Sequence, residues 1–109
     1  MEVTSPFGSQ TRTRVLLAIN LLQQSYAREL ARVLTIPISV IQKAILSLER
    51  DGLVAVRSVG KTRAITLNPR FFARRELLVF LNRLAEPAAR LRRTIATLRR
   101  RPRRSGKRL

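Results

Sequence analysis

Small polar and basic side chains recur between residues 38 and 51 at the spacing of one helix face. Gln and Lys side chains can hydrogen-bond to adenine and guanine edges, and a Val side chain can contact the thymine methyl group. A helix that presents them together could therefore read base pairs in the major groove of DNA. The alternative is that Gln42 and Lys43 are ordinary solvent-facing residues. The candidate base-reading residues are Ser39, Val40, Gln42, Lys43 and Ser47.

Basic side chains stand at two further places where they could contact phosphate groups. Arg28 and Arg32 lie four residues apart on the outer face of a helix predicted over residues 27–34. Guanidinium and ammonium groups commonly bind phosphate oxygens, so we expect the basic residues at both places to contact a sugar-phosphate backbone. For Arg28 and Arg32, a simple solvated surface is an equally open alternative. The second group flanks a predicted hairpin turn and consists of Arg57, Lys61 and Arg63.

Several kinds of chemistry are excluded by residue types that the sequence lacks. There is no Cys and no His, which removes disulfides, zinc fingers, thiolate sensors and Cys–His catalysis. No Gly-rich phosphate loop is visible, and the six acidic residues are too scattered for a paired-carboxylate site. We therefore expect no enzymatic activity, no cofactor and no bound metal. The acidic residues are Glu2, Glu29, Glu49, Asp51, Glu76 and Glu86.

The candidate residues need a scaffold, which the apolar periodicity supplies. A first helix is predicted over residues 9–22, where apolar side chains recur at three- and four-residue spacings. Arg12 and Arg14 near its start are disfavoured by the helix dipole, so they either meet a partner or lie on a solvated face. A break follows, in which Tyr26 is expected to pair with the hairpin, and then the helix over residues 27–34.

A turn, a helix and a hairpin complete the central region. Pro37 forces the preceding residue into an extended conformation and presets the backbone for the helix over residues 38–51. Ser39 and Gln42 have the spacing of a capping box, and Gly52 is the natural stop for that helix. Two β-branched runs around a Gly-containing turn predict a hairpin over residues 53–67.

The segment from Arg70 to Glu86 is predicted to be one helix with an unusually wide apolar face. One stripe would pack on the rest of the chain, and the surplus would be buried against a twin helix in a homodimer. Simple packing on the first helix is the alternative. A further helix is expected from Pro87 to Leu98. The candidate dimer residues are Leu77, Leu78, Phe80, Leu81 and Leu84.

The charge of the chain is strongly one-sided. Lys and Arg number 23 against six acids, which gives a formal net charge of +17. Such a charge points to nucleic acid as a partner first and to an acidic membrane surface second. No apolar run is long enough to span a membrane and no leader is visible, so we expect a cytoplasmic, nucleoid-associated protein and no membrane partner. Residues 99–109 are predicted to be a basic tail whose candidate contacts are Arg99, Arg100, Arg101, Arg103, Arg104, Lys107 and Arg108.

Four stretches of the sequence resemble the ArsR-like group of winged-helix transcriptional regulators. They are FGSQTRTRVLLAI, YARELARVL, IPISVIQKAILSLERDGLV and GKTRAITLNPRFFARREL. The resemblance implies a homodimer that binds double-stranded DNA through the third helix and the wing. Thr35 stands where such turns usually have Gly, and the Cys or His ligands of metal-sensing members are absent. Some members carry a nucleotidyltransferase domain, but here the winged helix is expected to stand alone.

The predicted fold is mainly α with a small β-hairpin. Residues 1–69 form a winged helix-turn-helix domain, residues 70–98 form C-terminal helices for dimerisation, and residues 99–109 form the tail. The predicted function is that of a homodimeric regulator of transcription, with helix 38–51 in the major groove and wing 53–67 on the backbone or minor groove. The alternative is a low-specificity, nucleoid-associated protein that coats DNA. The large charge favours this alternative, whereas the fold favours a discrete operator.

Overall fold

Three helices, one hairpin and two further helices follow one another in the order that the sequence predicts. The computed structural model describes residues 5–87 and 89–100, without the side chains of residues 89, 99 and 100. Within this part of the chain the prediction of a mainly α fold with a small β-hairpin is confirmed. The elements are α1 Gln10–Leu22, α2 Ala27–Leu34, α3 Ile38–Arg50, β1 Val54–Val59, β2 Thr62–Leu67, α4 Arg74–Leu84 and α5 Ala89–Arg100.

Helix α1 is the centre of the hydrophobic core. Ser9 caps its start by accepting a hydrogen bond from the Arg12 backbone N–H at 3.1 Å. Residues 15–19 are five consecutive apolar residues with no exposed surface. A helix that is apolar on all sides must be covered on all sides. Accordingly α2, α3, α4, α5 and β2 all pack against α1.

The turn between α2 and α3 depends on a residue that is unusual for its conformation. Thr35 has φ 56° and ψ 50°, in the left-handed region that favours glycine. This geometry lets the next N–H, that of Ile36, return to the Ala31 carbonyl at 3.1 Å. The chain then bends by 117° between the two helices, as expected for a helix-turn-helix. Among the described helices, none is long and apolar enough by itself to cross a membrane, and α2 with α3 meets that condition only as this bent pair.

Pro37 starts α3 as predicted, but the capping box does not form. Pro37 itself occupies the N-cap position, so Ser39 already lies inside the helix. The Pro37 carbonyl accepts the N–H groups of Val40 and Ile41 at 3.0 and 3.1 Å. No side chain caps this helix, and those of Ser39 and Gln42 are left exposed.

Gly52 ends α3 and directs the chain into the hairpin. At φ 82° it allows a Schellman motif, in which Leu53 N–H bonds the Leu48 carbonyl at 2.9 Å and Gly52 N–H bonds the Glu49 carbonyl at 3.0 Å. Strands β1 and β2 then pair antiparallel, with Val59 opposite Thr62. The residue between them with positive φ is glycine, as a tight hairpin turn requires.

A single bridge extends the hairpin on its other side. Ser25 pairs with Ile65 through two backbone hydrogen bonds of 3.0 and 2.8 Å. The expected strand contact at Tyr26 is therefore found one residue earlier. Tyr26 is instead the N-cap residue of α2, because its carbonyl accepts the first helical hydrogen bond from Leu30.

The C-terminal helix predicted from Arg70 begins later, at Arg74. Asn68 delays it, because its side chain accepts the Arg70 N–H at 3.0 Å and its carbonyl accepts the Phe71 N–H at 3.1 Å. These bonds hold a turn after Pro69 in place of the first helical turn.

The apolar face of α4 is divided between the protomer core and the surface. Leu77 and Leu81 are buried in the core, and Leu78 and Leu84 are half-buried. The large apolar side chains of this segment that stay exposed are Phe72 at 93%, Val79 at 64% and Phe80 at 43%. Packing on α1 thus accounts for two of the five candidate dimer residues, Leu77 and Leu81, whereas Phe80 stays exposed together with Phe72 and Val79.

Helix α5 also belongs to the same core. Leu91 and Ile95 are buried, and the helix packs against α1 and α2. One hydrophobic cluster therefore joins the winged-helix region to the C-terminal helices. The helix continues to Arg100, so the backbone at Arg99 and Arg100 is helical where the tail was expected to begin.

Thr35→Gly should stabilise the protein. Relief of the left-handed strain is worth about 1–2 kcal/mol, and the greater freedom of glycine in the unfolded chain offsets up to about 1 kcal/mol. We therefore expect the free energy of unfolding in urea to rise by about 0.5–1 kcal/mol. Thr35→Ala is the matched control, since it keeps the β-carbon and should gain less. An equal gain in both variants would contradict the strain argument.

Candidate nucleic-acid interface

The outward face of α3 carries polar side chains with no internal partner. Ser39, Val40, Gln42 and Lys43 are exposed, while Ile41 and the rest of the opposite stripe are buried. The hydrogen bonds and ion pairs of the described residues do not involve the side chains of Ser39, Gln42 or Lys43. Their donors and acceptors are therefore free to meet an external partner.

A groove, which we call the α3 groove, lies between this helix and the wing. Its volume is about 760 Å³, and its walls come from the start of α2, from α3 and from the hairpin. Three cationic side chains line it, Arg28, Lys61 and Arg63, against the single carboxylate of Glu49. Tyr26, Gln42 and Leu46 also contribute to the walls. The lining of the groove thus combines basic side chains with apolar ones.

The hairpin distributes its three basic residues over two faces. Arg63 lies on the same face as Ile65 and Val56, and these three residues line the groove together. Arg57 follows Val56, and successive side chains of a strand point to opposite faces. Arg57 therefore lies on the hairpin face opposite to Val56, whereas Lys61 and Arg63 line the groove.

Helix α2 likewise separates the two arginines that the sequence grouped together. Arg28 lines the groove beside α3. Arg32, one turn later, lines a different cavity formed with α1 and α5. The two residues are exposed, and neither forms an ion pair within residues 5–87 and 89–100.

Ser47 differs from the other candidates on α3. It is half-buried, and its hydroxyl accepts a hydrogen bond from Arg12 Nη1. The same guanidinium bonds Asp51 Oδ2 at 2.8 Å and the Phe7 carbonyl at 2.6 Å. Ser47 thus joins α3 to the start of α1, because Arg12 spans that junction.

Arg14 is also bound within the protein. Its Nη2 donates to the Leu34 carbonyl at 3.0 Å, at the end of α2. Arg12 and Arg14 therefore have their hydrogen-bond partners within the protein. The sequence offered two alternatives for them, an external partner and a solvated face, and the structure shows a third. No sequence signal identifies the contacts to Leu34, Ser47 and Asp51, since they span 20 to 39 residues.

Two residues of the predicted basic tail fall within the described part of the chain. Arg99 and Arg100 lie in the last turn of α5, and only their backbone is described. The remaining tail candidates lie outside the described residues; they are Arg101, Arg103, Arg104, Lys107 and Arg108.

Solved structures share this fold, although no protein-family model and no curated protein matches the sequence. Reduced HlyU from Vibrio cholerae aligns with a TM-score of 0.58 and 25% identity, over 71% of this chain and 75% of that chain. A variant of Lactococcus lactis ZitR aligns with a TM-score of 0.59 and 16% identity, over 91% of this chain and 64% of that chain. The adhesin competence repressor AdcR from Streptococcus pyogenes aligns with a TM-score of 0.51 and 20% identity, over 83% and 75% of the two chains.

These neighbours are winged-helix transcriptional regulators and not enzymes. The chain accordingly has the winged-helix fold that the sequence predicts. It spans just under two thirds of the ZitR chain to which it is similar.

Ser47→Ala should reduce stability rather than DNA recognition. Loss of the hydrogen bond to the Arg12 guanidinium should lower the free energy of unfolding by about 1 kcal/mol, measured by urea denaturation. Ser39→Ala on the same helix is the control and should be within about 0.5 kcal/mol of wild type, because its hydroxyl has no internal partner. If the two variants were equally stable, the assignment of Ser47 to the α1–α3 junction would have no energetic support.

Proposed function

We propose that the protein is a double-stranded DNA-binding regulator of transcription, in which α3 enters the major groove and the wing contacts the backbone. The observation that carries the proposal is the groove beside α3, whose cations Arg28, Lys61 and Arg63 form no ion pair with any described residue. Unpaired cations around a concave surface attract a polyanion. Their position next to free hydrogen-bonding side chains suits a partner that carries both phosphates and base edges.

In this arrangement each surface has one task. The side chains of Gln42 and Lys43 hydrogen-bond to base edges, and Val40 meets a thymine methyl group. The α3 groove of the protein binds one sugar-phosphate strand, which Lys61 and Arg63 contact from the wing and Arg28 contacts from α2. The reading set contains no arginine, so the expected discrimination among sequences is limited.

The finer assignment is to ArsR-like regulators that act as homodimers. It is supported by the resemblance of the sequence and by the winged-helix neighbours, one of which is titled a repressor. Repression is accordingly the regulatory effect that we favour. A twofold dimer would present two copies of α3 to one side of the duplex, as in other helix-turn-helix dimers.

The exposed apolar side chains of the α4 region support the homodimer. Phe72, Val79 and Phe80 present large apolar surfaces that the protomer leaves uncovered. Phe80 is partly held by Phe7, whose ring centroid is 5.7 Å away. Burial of this patch against a second copy removes it from water and gives a closed, isologous contact.

Substitutions on α3 and on the wing should have different effects on DNA binding. Gln42→Ala should weaken binding to a preferred duplex by about 1–3 kcal/mol and to a random duplex by less, if it contacts a base edge. Lys61→Ala should weaken both duplexes equally and reduce the slope of log affinity against log salt by about 0.9 for each lost phosphate contact. The measurement is a titration of both duplexes at several salt concentrations, after footprinting has identified the preferred one.

Gln24→Ala is the matched control for the helix substitution, because Gln24 is exposed but lies outside α3 and the groove. It should leave both affinities unchanged. A wild type that binds all duplexes alike would favour the DNA-coating alternative. Altered preference in Lys61→Ala with unchanged preference in Gln42→Ala would reverse the assigned roles.

Val79→Glu should convert the dimer into a monomer without unfolding it. Val79 is exposed, whereas acidic substitutions at Leu77 or Leu81 would place a charge in the core. Sedimentation at micromolar concentration without DNA should give a dimer for wild type and a monomer for the variant, with unchanged helical circular dichroism. Val59→Glu makes the same chemical change at an exposed wing position and should remain dimeric. A monomeric wild type would exclude the homodimer.

A further inference from the structure

A second positive cavity lies away from the α3 groove. Its volume is about 640 Å³, and it is formed by the start of α1, the end of α2 and the first turns of α5. It shares no lining residue with the α3 groove. We call it the arginine pocket, after its lining residues Arg14, Arg32 and Arg90.

The charge of the arginine pocket is uncompensated. No Asp or Glu is among the described residues that line it. None of its three arginines forms an ion pair in the described part of the chain. Three guanidinium groups that face one cavity repel each other, and this repulsion is relieved when an anion binds between them.

Arg14 adds an unsatisfied donor to this charge. Its Nη2 is engaged by the Leu34 carbonyl, but its Nε is buried and has no hydrogen-bond partner among the described residues. A buried donor without a partner is destabilising, because it has lost its hydrogen bonds to water and gained none in return. Such orphaned groups are uncommon in folded proteins and call for a specific explanation.

Helix α5 points the same way. It has 12 residues, its first turn contains no acidic residue, and Arg90 lies in that first turn. The start of a helix carries a partial positive charge and free N–H groups, which disfavours a cation and favours an anion. The anion that the three arginines attract would therefore also be favoured by the helix.

We propose that the arginine pocket binds a small phosphate-bearing molecule. A phosphate dianion offers several acceptor oxygens and matches the fork geometry of more than one guanidinium. The cavity has the volume of an ordinary small-molecule site. The bound phosphate connects Arg90 of α5 with Arg14, whose other nitrogen holds Leu34 directly before the strained Thr35 turn. The pocket thus couples a small anion to the helix-turn-helix.

The first test uses inorganic phosphate as the probe and requires no DNA, so its outcome is independent of the proposed function. Phosphate is titrated into the full chain at constant ionic strength, and binding is followed by calorimetry and by backbone amide shifts of residues 90–94. Wild type should bind saturably. Arg90→Gln should weaken phosphate binding at least tenfold, because it removes one of the three guanidinium groups of the pocket. The variant should stay folded, because Arg90 is exposed and its loss leaves the core intact.

Arg93→Gln is the matched control, since it removes the same charge from an exposed position of the same helix outside the pocket. It should bind phosphate within a factor of two of wild type. Arg32→Gln provides a second pocket variant and should weaken binding as Arg90→Gln does. Equal losses in Arg90→Gln and Arg93→Gln, or no saturable binding by wild type, would overturn the proposal.

A DNA arm separates a free phosphate compound from a backbone phosphate as the source of the anion. For a small-molecule site, the salt slope of DNA binding by Arg90→Gln should equal that of wild type and of Arg93→Gln. A slope in Arg90→Gln shallower by about 0.9, as expected for one lost backbone contact, would assign the pocket to DNA and overturn the small-molecule site.

Discussion

The structure depends on the burial of the apolar centre of α1. Five consecutive residues of this helix, 15–19, have no contact with solvent, and every other helix and the second strand pack around them. A helix that is apolar on all sides has no stable position at a surface. The helix-turn-helix, the wing and the C-terminal helices are therefore held together through one shared partner, and the separation of α3 from the hairpin follows from how each packs on α1.

Polar contacts fix the positions that apolar packing leaves adjustable. Arg12 ties the start of α1 to the end of α3 through Ser47 and Asp51. Asn20 Nδ2 donates to Asn82 Oδ1 at 2.8 Å and sets α4 against α1. Because these bonds have direction, they select one arrangement among several that would bury similar apolar area. The exposed polar face of α3 is thereby held towards solvent on a rigid support.

Much of the fold follows from the sequence because its signals are local. Apolar periodicity places α1, α2 and α3, and Gly52 marks the end of α3, because only glycine takes its φ of 82° without strain. These local signals do not predict the buried hydrogen bond from Ser25 Oγ to Glu29 at 2.7 Å. That bond depends on how the segment between α1 and α2 packs in the folded protein. The boundary at Arg74 is missed for a related reason, because the turn at Asn68 overrides a helical pattern.

The candidate site is less accessible to sequence reasoning than the fold. Periodicity shows that Leu77 and Leu81 must be covered, but it does not say whether α1 or a second copy covers them. Likewise an arginine near a helix start looks the same whether it binds solvent, phosphate or a distant carbonyl. The split between Arg28 and Arg32 appears only once α5 is in place, because α5 forms one wall of the arginine pocket.

The small number of acids explains why positive cavities form at all. Of the acidic residues, Glu29 is buried at Ser25 and Asp51 is bound by Arg12, so few carboxylates remain for more than twenty basic side chains. Ion pairs within the protein cannot neutralise this excess of positive charge, and the fold determines only where the basic side chains lie. Part of this excess lies at the two ends of α2, with Arg28 on the α3 groove and Arg32 on the arginine pocket. The same helix thus forms a wall of the surface proposed for DNA and a wall of the pocket proposed for a small anion.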